Sequence, residues 1–284
     1  RSGGGGEGAA FIRREEAWVA ATVRGASATV SVSEYMPHTL DLRSAGGRRV
    51  FSNPRVVAVM AEQLYAAMRG LGSAGLSHRD IKPENIMIAG SSRPVTVESI
   101  LSGEHYFVLA DHDVVARLGT RSMSGTRPFT SPEYLDGEVV RGTDPWATSA
   151  TLWEMLMGEN LLTSMGIPLA PRSRLPEYSS ARILEMHGRI RALLSERAAQ
   201  TTSPEARASI EYLRDVILNG LAIDPSARSL DISAAPGPTG AAASRAAHVG
   251  EDYGVRQSIL DSARSGIAPE DSAGITRRFA ATLE

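Results

Sequence analysis

The sequence predicts an α+β fold in which a small β part precedes a larger, mostly helical part. Apolar residues recur at spacings of three and four in segments at 53–71, 179–199 and 203–220, as on the buried face of an amphipathic helix. The segment Ala26–Ser33 alternates apolar and polar residues, as a half-buried strand does. With 284 residues, of which 42% are hydrophobic, the chain is long enough to bury a core.

The strand at 26–33 comes before the first long helix. Its alternation predicts a core-facing side made of Ala28, Val30 and Val32. The helix at 53–71 follows, and two glycines, Gly72 and Gly75, end it. Its predicted buried face consists of Val56, Val57, Met60, Leu64, Met68 and Leu71.

Two short apolar runs, Ile86–Ile88 and Tyr106–Ala110, predict a pair of buried strands. The polar, turn-rich stretch between them, 89–105, is longer than the usual hairpin connection, and we interpret it as a surface insertion. Three more helices follow. One opens at Asp144 and ends at Gly158, a second covers 179–199 with its arginines on a solvated face, and a third begins after Ser203.

The most informative segment is the octapeptide HRDIKPEN at 78–85. Its lysine, Lys82, is the only lysine in the chain, and the other 29 of the 30 basic residues are arginine. A compact ammonium and a forked guanidinium are not equivalent where one phosphate oxygen must be met. The retention of one lysine at this position therefore indicates phosphate chemistry.

This octapeptide resembles the catalytic loop of eukaryotic-type Ser/Thr protein kinases. The resemblance implies that Asp80 accepts the proton of the substrate hydroxyl, that Lys82 neutralises the γ-phosphate, and that Asn85 holds a metal ion. It also implies that ATP and Mg²⁺ are the cofactors. Asp111-His112-Asp113, which follows the second apolar run, resembles the Asp-Phe-Gly segment of the same family. Asp111 would then be the second Mg²⁺ ligand.

The segment Ser124–Glu133 resembles the kinase activation segment, with Phe129 in place of a tyrosine. By that resemblance Thr126 would hydrogen-bond the catalytic aspartate and lysine. Glu133 would be buried and would need a cationic partner, which Arg228 supplies. Asp144 would orient the backbone of the catalytic loop.

The match is weaker before residue 37. Glu34-Tyr35-Met36-Pro37 resembles the hinge of the kinase fold, so Glu34 and Met36 would receive the adenine through backbone groups. Two interpretations of the preceding residues stay open. In the first, Gly3, Gly5 and Gly8 form a phosphate loop, and Arg24 stands where the family has its ATP-anchoring lysine. In the second, 18–24 is the strand that precedes the hinge strand, and residues 1–8 form a linker-like end.

The resemblance covers about residues 26–230 and implies a protein-kinase-like two-lobe fold, with a mostly helical large lobe and a reduced β small lobe. We expect residues 1–36 to form the reduced or truncated small lobe and 37–230 the large lobe. The stretch rich in Ala, Gly, Ser and Pro after 230 would begin a low-complexity linker and C-terminal tail, 231–284.

The implied function is transfer of the ATP γ-phosphate to Ser/Thr hydroxyls of protein substrates. The alternative is a pseudokinase, a binding or scaffolding module with little catalysis, because the small-lobe lysine of the family has no counterpart in this chain. A net charge of −2 argues against a nucleic-acid partner. No apolar stretch reaches 18 residues, so no membrane span is expected. The start at Arg1 without Met is not a signal peptide and indicates a piece of a longer protein, and the absence of cysteine is compatible with a cytoplasmic location.

Overall fold

The computed structural model describes residues 15–23, 26–33, 36, 38–40, 42–112, 114–121, 125–167 and 178–232, and of 15–33 the backbone alone. Several residues singled out above lie outside these ranges: Gly3, Gly5, Gly8, Arg24, Glu34, Asp113, Ser124 and the tail beyond 232.

The strands form three small antiparallel sheets. Strands β1 (Glu15–Val23) and β2 (Ala26–Ser33) form a hairpin in which Val19 lies opposite Val30. This pairing confirms the strand expected at 26–33. A strand before it is compatible with both interpretations of the preceding residues, because Gly3, Gly5, Gly8 and Arg24 lie outside the described ranges. A three-stranded sheet has the order β3 (His38–Thr39), β5 (Ile86–Gly90) and β6 (His105–Leu109). Strand β4 (Leu76–Ser77) pairs with β7 (Ala116–Arg117).

Helices dominate the described residues after 44. They are α1 (Ala45–Phe51), α2 (Pro54–Ser73), α3 (Val97–Leu101), α4 (Thr143–Met157), α5 (Leu161–Ser164), α6 (Ser180–Gln200) and α7 (Pro204–Gly220). Short 3-10 turns lie at Pro83–Asn85, Arg127–Phe129, Glu133–Asp136 and Pro225–Ala227. The helices expected at 53–71, from Asp144, at 179–199 and after Ser203 are therefore confirmed to within about two residues.

Capping side chains explain where the long helices begin. The Asn53 side chain accepts a hydrogen bond from the Arg55 amide at 3.0 Å, and Pro54 occupies the first turn of α2. Ser203 caps α7 in the same way through the Ala206 amide at 3.2 Å. Each cap satisfies an amide that has no partner inside its helix, so the sequence specifies these starts locally.

The core lies where α7 packs against α2, α4 and α6. Trp146 and Trp153 of α4 are fully buried within it. Gly220, the last residue of α7, approaches α4 so closely that a Cβ would lie 2.1 Å from Ser149 Oγ. A larger residue there would force the two helices apart. Leu184 belongs to the apolar pattern at 179–199 but is 59% exposed, because the buried face of α6 follows Ile183, Met186, Ile190 and Leu194.

The insertion at 89–105 contains a short helix, which the turn-rich composition did not predict. In α3 the Thr96 side chain accepts from the Ser99 amide at 3.1 Å, and the Ser99 hydroxyl accepts from the Thr96 amide at 2.9 Å. This reciprocal capping box stabilises a helix of five residues. Ile100 is buried and joins the main core, so the insertion is anchored rather than purely superficial.

Helix α6 has one face buried in the core and one face exposed to solvent. α6 carries exposed arginines at 182, 189 and 191, as expected for a solvated face.

No helix in the described ranges combines the length and the apolar character that crossing a membrane requires.

Candidate active site

The loop at 78–82 follows β4 and is anchored to α4 through Asp144. Asp144, 4% exposed, accepts hydrogen bonds from the backbone amides of His78 and Arg79 at 2.7 and 2.8 Å. Burial raises the pKa of Asp144, and the two amides act in the opposite direction. The expected role of Asp144 in orienting this loop is confirmed.

The backbone adopts a left-handed conformation at two non-glycine residues of the described chain, and both lie in this region. Arg79 has φ 72° and Asp111 has φ 64°. Such conformations cost roughly 1–3 kcal/mol each and persist only where the surroundings impose them. For Arg79 the surroundings are Asp144, the Val114 carbonyl, which accepts from Nε, and the Tyr134 hydroxyl at 3.4 Å from Nη1.

Asp80, Lys82 and Thr126 form a closed triangle of hydrogen bonds. The Lys82 ammonium donates to Asp80 Oδ2 and to Thr126 Oγ1, both at 2.7 Å. The Thr126 hydroxyl donates to Asp80 Oδ1 at 2.6 Å. Asn85 Nδ2 donates to Asp80 Oδ2 at 3.0 Å and to the Asp80 carbonyl at 2.9 Å. Lys82, Asn85 and Thr126 thus each donate a hydrogen bond to the Asp80 carboxylate, and together they fix its orientation.

The charge state of Asp80 follows from these contacts. Burial acts to raise its pKa, but the hydrogen bonds from Lys82 and Thr126 and the positive charge of Lys82 outweigh burial. The net pKa lies below that of an ordinary aspartate. Asp80 is therefore ionised at neutral pH and can accept a proton from a positioned hydroxyl.

Asn85 and Asp111, the two expected Mg²⁺ ligands, carry side-chain oxygens of the kind that divalent cations bind. The Asn85 amide nitrogen is directed at Asp80, which leaves the Oδ1 oxygen, the atom that hard cations prefer, for another partner. The Asn85 carbonyl accepts from the Ala110 amide at 2.9 Å, which brings the neighbouring Asp111 beside it. The Asp111 side chain is exposed. In the described ranges no group of three or more His, Asp or Glu side chains could hold a metal, so phosphate and water oxygens would complete the coordination.

The segment after 125 is tied to the loop and to the core. Gly125, with φ 125°, lies so close to the loop that a Cβ would be 2.7 Å from the Arg79 carbonyl. Arg228 donates to both Glu133 oxygens, at 2.7 and 3.1 Å, and its side chain is fully buried. The expected Glu133–Arg228 ion pair is confirmed.

His78 is buried in its neutral form. Its Nε2 must donate, because the partner at 3.0 Å is the Ala110 carbonyl, and Nδ1 accepts from the Asp80 amide at 3.4 Å. Its ring packs edge-on against the ring of His112, with the ring centroids 5.4 Å apart. Burial, followed by the nearby His112, lowers the pKa of His78 to about 3.

We expect this histidine to make folding sensitive to mild acid. Between about pH 6.5 and 3 the unfolded chain binds a proton at His78 and the folded chain does not. The free energy of unfolding is therefore highest above pH 6.5 and falls by up to about 1.4 kcal/mol per pH unit below it. Urea unfolding at pH 7, 6 and 5 measures this slope, and His78→Phe should flatten it. Equal slopes for the two proteins would show that His78 is not buried neutral.

Of the residues expected to bind the nucleotide outside the catalytic loop, the described ranges include Met36 alone. Met36 is 8% exposed and packs against Ala89 and Val108, beside the three-stranded sheet. Glu34 and Arg24 lie outside the described residues. One buried polar residue near the site, Gln63, was not predicted. The available signal was an amide side chain between Met60 and Leu64, on the face of α2 that otherwise carries core residues.

Comparison with known proteins adds independent evidence. A family model described as protein kinase domain matches residues 19–230. Serine/threonine-protein kinase PkaB of Streptomyces coelicolor is 34% identical over 112 residues, 36% of this chain and 24% of the relative. Protein kinase 2 of Dictyostelium discoideum is 29% identical over 171 residues, 57% of this chain and 29% of the relative. Cyclin-dependent kinase-like 2 of Oryctolagus cuniculus is 33% identical over 137 residues, 46% of this chain and 22% of the relative. The matched part is less than a third of each relative's length.

Proposed function

The chain belongs to the protein kinase family, and we propose that it transfers the γ-phosphate of ATP to serine and threonine hydroxyls of protein substrates. The observation that carries the proposal is the triangle of Asp80, Lys82 and Thr126, in which one carboxylate is ionised and held in place. We also propose the division into a reduced small lobe at 1–36, a large lobe at 37–230 and a tail at 231–284.

The roles in the proposed reaction follow from the contacts. Asp80 receives the proton of the substrate hydroxyl and aligns that hydroxyl for attack. Lys82 neutralises charge on the transferred phosphoryl group, and Thr126 fixes the positions of both side chains. Asn85 and Asp111 would hold Mg²⁺, which supplies charge neutralisation at the ATP phosphates. The hinge at Glu34 and Met36 would receive the adenine.

The serine/threonine specificity rests on Thr126 and on the relatives. Thr126 bridges Asp80 and Lys82, which is the arrangement that the resemblance to Ser/Thr kinases implies. The Streptomyces coelicolor relative is named a serine/threonine-protein kinase. Incubation with γ-labelled ATP, Mg²⁺ and a generic basic protein, followed by phosphoamino-acid analysis, tests the proposal. We expect phosphoserine and phosphothreonine, and phosphotyrosine alone would contradict it.

ATP binding should depend strongly on Mg²⁺. Lys82 is the only lysine in the chain and is engaged with Asp80 and Thr126, so bound metal would be the largest positive charge at the α- and β-phosphates. We expect removal of Mg²⁺ to weaken ATP binding by at least about tenfold, or ~1.4 kcal/mol. Asp111→Asn should weaken it less than metal removal, and calorimetry with and without Mg²⁺ measures both.

Matched variants make this measurement specific. Asparagine tolerates the left-handed backbone at position 111, so Asp111→Asn removes charge without adding strain. Asp215→Asn, on the exposed face of α7, makes the same chemical change away from the site. Tight ATP binding without metal would contradict the account. A large loss of ATP affinity in Arg24→Ala would instead favour the first interpretation, in which Arg24 anchors the ATP phosphates and Gly3, Gly5 and Gly8 form a phosphate loop.

The second candidate function is a pseudokinase. The observation that favours it is the single lysine, which is held in the large-lobe site and cannot also anchor the α- and β-phosphates. In that case the chain would present the kinase fold to a protein partner and transfer little phosphate. Mg²⁺-dependent ATP binding without label transfer to any protein, the chain itself included, would favour this alternative.

A further inference from the structure

Gln63 is a buried polar side chain that belongs to none of the motifs described above. It lies in the middle of α2 and is 2% exposed. Its Oε1 oxygen accepts a hydrogen bond from the Phe107 backbone amide, 44 residues away, at 2.7 Å. Burial of an amide group is unfavourable unless it is hydrogen-bonded, so this contact accounts for a glutamine among core residues.

The partner of Gln63 lies on the edge strand of the three-stranded sheet. β6 has β5 on one side, with Phe107 opposite Ile88. In an antiparallel pair, alternate residues direct their N–H groups away from the neighbouring strand. Phe107 is such a residue, and at 1% exposure its amide has no access to bulk water. Gln63 thus occupies the place that the next strand of the sheet would take.

The contact links the two segments that carry the candidate site. α2 continues through β4 into the loop with Asp80, and β6 continues through Ala110 to Asp111. Near Asp111, the Ala110 amide donates to the Asn85 carbonyl at 2.9 Å, and its carbonyl accepts from His78 at 3.0 Å. β5 pairs with one edge of β6 along its whole length, and Gln63 binds the other edge at the middle of the strand, which ties β6 to α2 as well as to β5.

From these contacts we propose that Gln63 is a positioning residue for Asp111. By holding β6 against α2, it keeps Asp111 at the distance from Asn85 that shared metal coordination needs. Residues that orient metal ligands typically change metal affinity by about 10–100-fold when altered. Because Gln63 acts through a strand, we expect the lower end of that range. The inference rests on the proposed function, in which Asp111 and Asn85 hold Mg²⁺.

Two length-matched substitutions test the hydrogen bond itself. Gln63→Met keeps the side-chain length and removes the acceptor, and Gln63→Glu keeps an acceptor oxygen. Ile190→Val, a modest core truncation in α6, controls for a general loss of stability. Two measurements are made on all four proteins. One is the Mg²⁺ concentration for half-maximal ATP binding, and the other is hydrogen exchange at the Phe107 and Ala110 amides by NMR.

In Gln63→Met we expect the Mg²⁺ requirement to rise about tenfold and exchange at both amides to accelerate. Gln63→Glu should recover most of both losses, and Ile190→Val should show neither. Faster exchange confined to Phe107, with an unchanged Mg²⁺ requirement, would overturn the inference and leave Gln63 a purely structural residue. If the wild type shows no Mg²⁺-dependent ATP binding, the proposed function fails. Acceleration that extends to Ala110 would still support positioning in that case, and acceleration confined to Phe107 would still overturn it.

Discussion

Asp80→Asn is expected to lower the rate of phosphate transfer by at least about 100-fold, since a positioned general base typically contributes about 10²–10⁴-fold. The substitution keeps the shape of the side chain and removes its negative charge. An amide cannot accept the hydroxyl proton. Its NH₂ group would face a donor at either position, Thr126 at one or Lys82 and Asn85 at the other, where the carboxylate oxygens accepted hydrogen bonds. Initial rates with γ-labelled ATP and a basic protein substrate measure the effect.

The matched control is Asp215→Asn, which makes the same change on the exposed surface of α7, where 69% of the side chain is accessible. Its transfer rate should equal that of the wild type. Circular dichroism and the unfolding midpoint of Asp80→Asn show whether the fold is retained. A rate for Asp80→Asn within about twofold of the wild type, with the fold intact, would remove Asp80 from the proposed mechanism.

Arg228→Ala should destabilise the fold by about 3–5 kcal/mol, the usual cost of removing one partner of a buried ion pair. The guanidinium makes a bidentate contact with Glu133, donates to the Gly142 and Ala222 carbonyls at 2.8 Å each, and lies 4.9 Å above the Trp146 ring. Its loss leaves the Glu133 carboxylate without its cation. The midpoint of thermal unfolding should fall by roughly 6–20 °C.

A second arginine provides the comparison. Arg214 contacts Asp215 at 2.9 Å, but their side chains are 30% and 69% exposed. Exposed pairs contribute about 0–1 kcal/mol, so Arg214→Ala should change the midpoint little. Arg228→Lys should fall between the wild type and Arg228→Ala, because an ammonium cannot reproduce the bidentate contact. Equal midpoints for Arg214→Ala and Arg228→Ala would mean that the buried Glu133–Arg228 pair contributes no more to stability than the exposed pair does.

The sequence anticipated the long helices because their signals are local. Apolar spacing gave α2, α4, α6 and α7, and the caps Asn53 and Ser203 stand next to the helices that they start. The grouping of Asp80, Lys82, Asn85 and Thr126 was also predictable. Three of these residues share one loop, and the motif around Thr126 identifies the fourth.

Other features could not be predicted because they depend on contacts between distant backbone groups. Gln63 is one residue of an apolar helix face, and its partner is an amide proton that every non-proline residue carries. The left-handed backbone at Arg79 and Asp111 is imposed by neighbours such as Asp144 and not by residue type. Leu184 fits an apolar pattern, yet the packing of α6 turns it to the solvent.

Lys82, 19% exposed between Asp80 and Thr126, also determines how this chain reacts with reagents that acylate lysine side chains. In most proteins acylating reagents modify many surface lysines, and one reactive site disappears in the background. Here every lysine-directed acylation, whether chemical or enzymatic, reaches a single side chain. Because the amine must lose its proton and its hydrogen bonds to Asp80 and Thr126 before it can react, we expect acylation of Lys82 to be slower than that of a free lysine side chain.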